Sequence, residues 1–227
     1  MYLYKDQVEV LPLAMVDNLV GVARCGHNSL ALNTFINTQI ELKKLRFHTP
    51  DEKGKSKCNV MHVGKDMGIC PSLQVHGTTM QKITHDKYLG DILSSDGKND
   101  LNIESRISKG LGIVTQITNM LEKVSFGKHY FKMARLFRES NFLNGILTNA
   151  ESWHGLSPTQ VNQLESVDQL LMRNFFDTTV STPVEALYLE LGVISIGTII
   201  KARRINFLHY LVSSSENEMV YNVFQAQ

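Results

Sequence analysis

The stretch KYLGDILSSDGKNDLNIESRI (residues 87–107) marks the place where the sequence changes from strand-like to helix-like patterning. Before Asp100, short β-branched runs alternate with turn residues, and the Asp96-Gly97 step is a turn signal because glycine adopts positive φ without steric cost. After Asp100, apolar residues recur at helical spacing. They form the stripe Ile103, Ile107, Leu111, Val114, Ile117 and Leu121. The pattern predicts an α+β first half and an all-α second half, with the boundary near residue 100.

The first half begins with a predicted hairpin and helix. The runs VEVLPLAMV (8–16) and LVGVARC (19–25) flank the polar step Asp17-Asn18, and an Asx pair is common in hairpin turns. A helix is predicted from about Ser29 to Phe47, with Asn28 or Ser29 as its cap. CNVMHV (58–63) is predicted as a strand, and two or three short strands follow, with a turn at His76-Gly77.

The second half contains well-marked helix ends. One helix is predicted from Lys128 to Leu147. Two capping boxes follow, because SPTQ and TPVE each place a hydroxyl at the N-cap, proline at N1 and Gln or Glu at N3. These boxes begin at Ser157 and Thr182. Gly192 is predicted to end the second capped helix, and a last helix covers Gly197–Ser213 before a mobile tail, residues 214–227.

Bulk composition narrows the class of protein. The 227 residues are 43% hydrophobic, which is enough for a real core, and the net charge of +1 favours no particular partner. No apolar run approaches the roughly 18–20 residues of a membrane span, and the N-terminus has no secretory pattern. Three widely spaced cysteines fit a reducing compartment. We expect an intracellular chain, cytoplasmic or nuclear, without a membrane partner or a small-molecule substrate.

Charge is distributed unevenly along the second half. Residues 101–150 contain seven cations and three anions, a net charge of +4, whereas residues 151–200 contain one cation and six anions, a net charge of −5. One interpretation places any polyanion contact in the basic block, and the other is two solvated helical faces of opposite sign.

Isolated polar and aromatic residues have ordinary explanations. Cys25 with His27 and Cys58 with His62 do not reproduce a paired zinc-ligand set, so buried thiols and incidental histidines are the better interpretation. We expect Trp153 to be a core anchor rather than a base-stacking residue.

Three stretches, in this order and spacing, resemble a known family. LPLAMVDNLVG (11–21) resembles the [YF]-x-D-D hairpin of polymerases, KCNVMHVGK (57–65) is similar to the strand after the palm helix, and KYLGDILSSDGKNDLNIESRI looks like the family's Y-L-G strand, turn and entry into the thumb. The chain resembles the C-terminal half of a reverse transcriptase of the non-LTR (LINE-type) retrotransposon class. The likeness implies a partial polymerase palm at residues 1–100 and a thumb-like helical region at 101–213.

The resemblance assigns a metal-binding role to the first hairpin. In the family, carboxylates at the hairpin tip help to hold two Mg²⁺ ions roughly 4 Å apart. Asp17 falls on the first of these positions, but Asn18 replaces the second carboxylate and removes one negative charge. Asp17 is therefore expected to be a vestigial catalytic residue and a weak metal ligand.

The family's other metal-binding Asp lies on a strand well upstream of this hairpin. The numbering starts only 16 residues before Asp17 (17 − 1), so neither that Asp nor the fingers are expected in this chain. We predict that the chain does not polymerise alone. A palm without its partner strands would also expose edges to aggregation, and the missing palm and fingers segments would then be needed for stability.

A template–primer or RNA is the partner that the resemblance implies. The candidate nucleic-acid contacts are Tyr88, Lys109, Lys123, Lys128, Lys132, Arg135 and Arg138. From Lys128, offsets of 4, 7 and 10 residues place three later cations close to one helical stripe. Arg203 and Arg204 fit a phosphate contact and an exposed polar face equally well. The alternative function is a non-enzymatic helical protein-interaction module or an unselected remnant of a mobile element.

Overall fold

The structure, a computed structural model, describes residues 10–15, 18–23, 26–42, 44, 58–64, 71–75, 77–124, 127, 129–153 and 155–214. Strands dominate the first part and helices the second, so the predicted α+β class is confirmed at this level. Two compact units divide the chain: unit 1 comprises residues 1–86, 94–97 and 213–227, and unit 2 comprises 87–93 and 98–212.

Unit 1 begins with the predicted hairpin, although Asn18, predicted as part of its turn, belongs to the second strand. Strands β1 (Val10–Met15) and β2 (Asn18–Ala23) pair antiparallel, and Met15 is opposite Asn18. Helix α1 (Gly26–Leu42) packs on this hairpin, where a Cβ at Gly21 would lie 2.7 Å from Cδ2 of Leu32. Glycine is thus required for the close approach of strand and helix. The predicted start of α1 at Ser29 was wrong, because the helix begins at Gly26.

Short strands complete unit 1. β3 (Asn59–Met61) confirms the predicted strand and pairs parallel with β6 (Gln81–Ile83). Strands β4 (Gln74–Val75) and β5 (Thr78–Thr79) form an antiparallel pair. The Asn33 amide on α1 donates to the Gln74 carbonyl at 2.7 Å and accepts from the Gln74 N–H at 3.0 Å, which ties the helix to β4.

A hairpin of strands β7 (His85–Tyr88) and β8 (Asp91–Ser94) leads into unit 2. Its turn consists of Leu89 (φ 48°) and Gly90 (φ 92°), and positive φ at both central residues is the requirement of a type I′ turn. The sequence patterns did not predict this turn. The predicted turn at Asp96-Gly97 is present after β8, where Gly97 has a φ of 70°.

The core of unit 2 lies between helices α2 (Asp100–Leu121) and α5 (Pro158–Phe176). The helical stripe predicted for α2 is largely buried, but Leu111 is 45% exposed and Arg106 lies on the buried face in its place. Gly110 is a point of close packing, because a Cβ there would lie 3.0 Å from Ile146 and 3.2 Å from Val167.

The predicted helix 128–147 is interrupted. Helix α3 (Tyr130–Phe137) runs into a π-helical segment, Arg138–Leu143, and a single turn α4 (Asn144–Ile146) follows. In a π-helix the hydrogen bonds join residues i and i+5, so Arg138 and Leu143 can lie on one side. Both are buried, and Arg138 also lies four residues after the buried Ala134, so helical spacing already places its side chain inside the unit.

Helix ends follow the sequence signals in part. The capping box at Ser157 is confirmed, since Gln160 N–H donates to the Ser157 hydroxyl and the Gln160 side chain accepts from the Ser157 N–H. The box predicted at Thr182 was wrong, because α6 (Val184–Leu191) begins one residue later, with Pro183 at its N-cap. Gly192 ends α6 with a φ of 66°, as predicted. The last helix, α7, covers Ile196–Ser213.

Two glycines on α2 provide a matched test of this packing. Gly110→Ala should lower the free energy of unfolding by about 1 kcal/mol, because overpacking against Ile146 and Val167 outweighs the gain in helix propensity. At Gly112 an added Cβ would meet nothing within 4 Å, so Gly112→Ala should raise the free energy of unfolding by about 0.5–1 kcal/mol. Urea denaturation followed by the fluorescence of Trp153, the only tryptophan, measures the stability of both variants. Equal effects of the two substitutions would contradict close packing at Gly110.

Candidate nucleic-acid interface

The expected metal site lies mostly outside the described residues. Asp17 is not described, and Asn18 is described only as a residue of strand β2. The described residues contain no group of three His, Cys, Asp or Glu side chains that could hold a metal ion. The expected Mg²⁺ site thus stays a prediction from the resemblance.

Tyr88, the tyrosine of the Y-L-G stretch, ends strand β7 directly before the turn and is half-buried. The turn beside it is held from two sides. An Arg106 guanidinium nitrogen donates to the Gly90 carbonyl at 2.9 Å, and the Asn149 side chain donates to the Leu89 carbonyl at 3.2 Å. The position of Tyr88 is therefore set by residues of the helical unit that follow it in the chain.

Asp91, the residue after this turn, is the acceptor at the centre of a polar cluster. Its Oδ1 accepts from Arg106 at 2.6 Å, from the Trp153 indole N–H at 3.1 Å and from Asn102 at 3.2 Å. Its Oδ2 accepts from Asn149 at 2.9 Å. We call these five residues the Asp91 cluster. They join the hairpin, α2 and the turn after α4.

The Asp91 cluster keeps its carboxyl group ionised. Burial alone would raise the pKa of Asp91, but the hydrogen bonds from Arg106, Asn149 and Trp153 and the positive charge of Arg106 outweigh burial. The pKa therefore lies below its ordinary value. The prediction that Trp153 is a core anchor is confirmed, since its side chain is buried and its ring lies 5.7 Å from the Arg106 guanidinium.

A second buried cluster involves Arg138. Its Nε donates to Oδ1 of Asp168 at 2.8 Å and a terminal nitrogen donates to Oδ2 at 2.7 Å, a two-bond contact with no exposed face. The same terminal nitrogen donates to the Ile194 carbonyl, and the Tyr188 hydroxyl donates to Asp168 at 3.1 Å. Burial and the Asp168 charge raise the pKa of Tyr188, so the hydroxyl stays a donor. Arg138, Asp168 and Tyr188 form the Arg138 cluster.

This geometry corrects the prediction for Arg138. Its side chain is 1% exposed and its donors are directed at Asp168 and a backbone carbonyl, so it cannot meet a phosphate at the surface. The predicted helix start at Lys128 was wrong, because α3 begins at Tyr130. Lys128 itself lies outside the described residues, so its predicted phosphate contact stays a prediction.

Four predicted contacts remain at the surface: Lys109, Lys123, Lys132 and Arg135. Arg135 forms an exposed ion pair with Glu139 at 2.9 Å, and this type of pair is worth little and leaves the cation accessible. The exposed anions of the same block are Glu104, Glu122 and Glu139. The surface excess of positive charge is thus much smaller than the sequence count implies, because Arg106 and Arg138 are buried.

Arg203 and Arg204 have a role that neither sequence interpretation anticipated. Both are half-buried on α7, where Arg203 donates to the Leu147 carbonyl and Arg204 to the Trp153 carbonyl. They connect the last helix to the segment after α4, which carries Asn149 and Trp153 of the Asp91 cluster.

Comparisons with known proteins give no relative. No protein-family model matches the chain, and no curated protein or solved structure matches it. Among the described helices, none has the length and apolar character needed to cross a bilayer. The resemblance to reverse transcriptases therefore stays a prediction from the sequence motifs.

Asp91→Asn tests the first cluster. The variant keeps the shape of the side chain but leaves the buried Arg106 charge uncompensated, so we expect the free energy of unfolding to fall by about 2–4 kcal/mol at pH 7. Glu139→Gln breaks the exposed pair and is the control, with an expected loss below about 0.5 kcal/mol. Similar losses in the two variants would refute the buried pair.

The stability difference between the wild type and Asp91→Asn should depend on pH. Because the folded pKa of Asp91 lies below its unfolded value, its contribution to stability is present above about pH 4 and is lost as the pH falls through the folded pKa. The stability difference between the wild type and Asp91→Asn should stay constant between about pH 5 and 7 and shrink below about pH 4. Urea titrations at several pH values measure it.

Arg138→Met tests the second cluster. Removing the cation leaves Asp168 buried and unpaired, so we expect a loss of about 3–5 kcal/mol in the free energy of unfolding. Adding Asp168→Leu and Tyr188→Phe removes the remaining buried polar groups and should recover most of that loss. A triple variant no more stable than the single one would argue against this arrangement.

Proposed function

We propose that this chain is a reverse-transcriptase-like protein whose helical unit binds the sugar–phosphate backbone of a template–primer. The observation that carries the proposal is the outer face of α2. The catalytic part of the resemblance rests on Asp17, outside the described residues, so the proposal concerns binding alone.

Short polar side chains occupy that face. Offsets of 3, 4, 3 and 4 residues bring its members to one side of the helix. They are Ser105, Ser108, Gly112, Thr115 and Asn119, all exposed. A backbone can approach this face closely at Gly112, where a Cβ would meet nothing within 4 Å, while the longer exposed side chains of Lys109 and Gln116 lie at its flank. Hydroxyl and amide groups are common partners of phosphate oxygens.

Exposed cations lie on α2, just after it, and on α3. Lys109 lies on α2 and Lys123 directly after its end, and both are exposed. Lys132 and Arg135 add two exposed cations on α3. Three or four phosphate contacts would give an affinity that falls with salt with a log–log slope of about −3 and shows little sequence preference.

A protein-interaction module is the second candidate. It is favoured by exposed apolar side chains on α6 and α7, among them Leu189 and Ile205. This candidate uses residues of α6 and α7, whereas the binding proposal uses residues of α2 and α3.

Fluorescence anisotropy of a labelled RNA–DNA hybrid, titrated with the full chain at several salt concentrations, tests the binding proposal. We expect Lys109→Ala with Lys123→Ala, and separately Lys132→Ala with Arg135→Ala, to weaken binding about 5–30-fold at low salt and to reduce the slope by about 1–2. Gly112→Glu adds an anion in open space at the centre of the α2 outer face and should weaken binding without unfolding the chain.

Lys201→Ala is the matched control, because Lys201 is an exposed lysine on a different helix, α7. It should bind like the wild type. No binding by the folded wild-type chain, or an equal loss in Lys201→Ala and the α2 variants, would reject the proposal.

A further inference from the structure

Apolar exposure is concentrated at the end of unit 2. Four of the five most exposed large hydrophobic side chains in the described part of the chain lie between residues 180 and 212. They are Val180, Leu189, Ile205 and Val212. Single exposed hydrophobics need no explanation, whereas several on consecutive elements indicate a surface that is covered in the functional state.

Helix α7 is apolar on two opposite sides. Its inner side carries Ile196 and Ile200, which are buried, and the bonds from Arg203 and Arg204 hold that side against unit 2. Its outer side carries Ile205, Leu208 and Val212, each more than half exposed, and we call these three the α7 stripe. A helix that is apolar all round is normally buried.

The α7 stripe has the spacing of a helix-pairing seam. Offsets of 3 and 7 residues are those of a and d positions in a heptad, with β-branched Ile205 and Val212 at a and Leu208 at d. Lys201 lies one turn before Ile205 on the same side and is exposed. The outer side of α7 is thus an apolar seam with a cation at one end.

Helix α6 carries the complementary surface. Leu189 is 82% exposed and lies one turn after Glu185 on the same side, and exposed Glu190 follows. No ion pair in the described part of the chain includes Glu185, Glu190 or Lys201. The outer side of α6 is therefore an apolar residue flanked by carboxylates.

We propose that the α7 stripe docks on the outer side of α6 of a second copy of this chain, with Lys201 placed against the α6 carboxylates. In a two-fold dimer residue i meets j and j meets i, so the contact is made twice and its apolar area doubles. Self-pairing of α7 in parallel would instead bring Lys201 against its own copy, which is repulsive. The small size of each contact predicts a weak dimer, with a Kd in the micromolar range.

Sedimentation velocity of the purified full chain, up to about 100 μM, tests the proposal. We expect a reversible monomer–dimer equilibrium. Leu208→Ser should weaken it at least about ten-fold, because each dimer loses two buried leucines. Leu136→Ser is the matched control, an exposed leucine of α3 that should leave the dimer unchanged.

Charge reversal identifies the docking partner. Lys201→Glu should weaken the dimer, and adding Glu185→Lys with Glu190→Lys should restore it. A wild-type chain that stays monomeric throughout overturns the proposal. So does a dimer that Leu208→Ser leaves intact, or one that the combined charge reversal fails to restore.

Discussion

The carboxylate of Asp91, on the hairpin, accepts hydrogen bonds from four donors in two other parts of unit 2, and the arrangement of these elements depends on it. Arg106 brings α2 to the hairpin turn, and Asn149 with Trp153 brings the segment after α4 to the same point. Arg204 then fastens α7 to the Trp153 carbonyl. Because buried polar groups are stable only when fully bonded, loss of this one acceptor would leave an unpaired cation and several unpaired donors.

Two buried ion pairs also limit which cations the proposed polyanion binding could use. Arg106 and Arg138 supply part of the basic character of residues 101–150, but both are used inside the unit. The remaining exposed cations lie on or just after α2 and on α3, and the short side chains of the α2 outer face leave room for a backbone. The proposed binding therefore depends on few charges and on close approach, which is a weaker and less salt-dependent mode than the sequence count suggested.

Local signals in the sequence predicted local structure. The box at Ser157, the stop at Gly192 and the first hairpin could be read from residue types, since each depends on neighbours within a few positions. The Asp91 and Arg138 clusters could not be predicted from the sequence in this way. The sequence does contain a sign that these charges are buried. Arg138 follows Ala134 by four residues and Asp168 follows Leu164 by four, so each charge lies on an apolar helix face. Their pairing could not be predicted, because the two residues are 30 positions apart. The Leu89-Gly90 turn was missed because leucine rarely has positive φ, and here Asn149, 60 residues away, bonds its carbonyl.

The most direct measurement of the central claim is lysine protection. The folded chain would be treated with an amine-reactive reagent with and without an RNA–DNA hybrid, and the modified sites counted by mass spectrometry. We predict protection of Lys109, Lys123 and Lys132 and unchanged reactivity of Lys201. Protection of Lys201 alone, or equal reactivity of all four with a bound hybrid, would contradict binding at the α2 outer face.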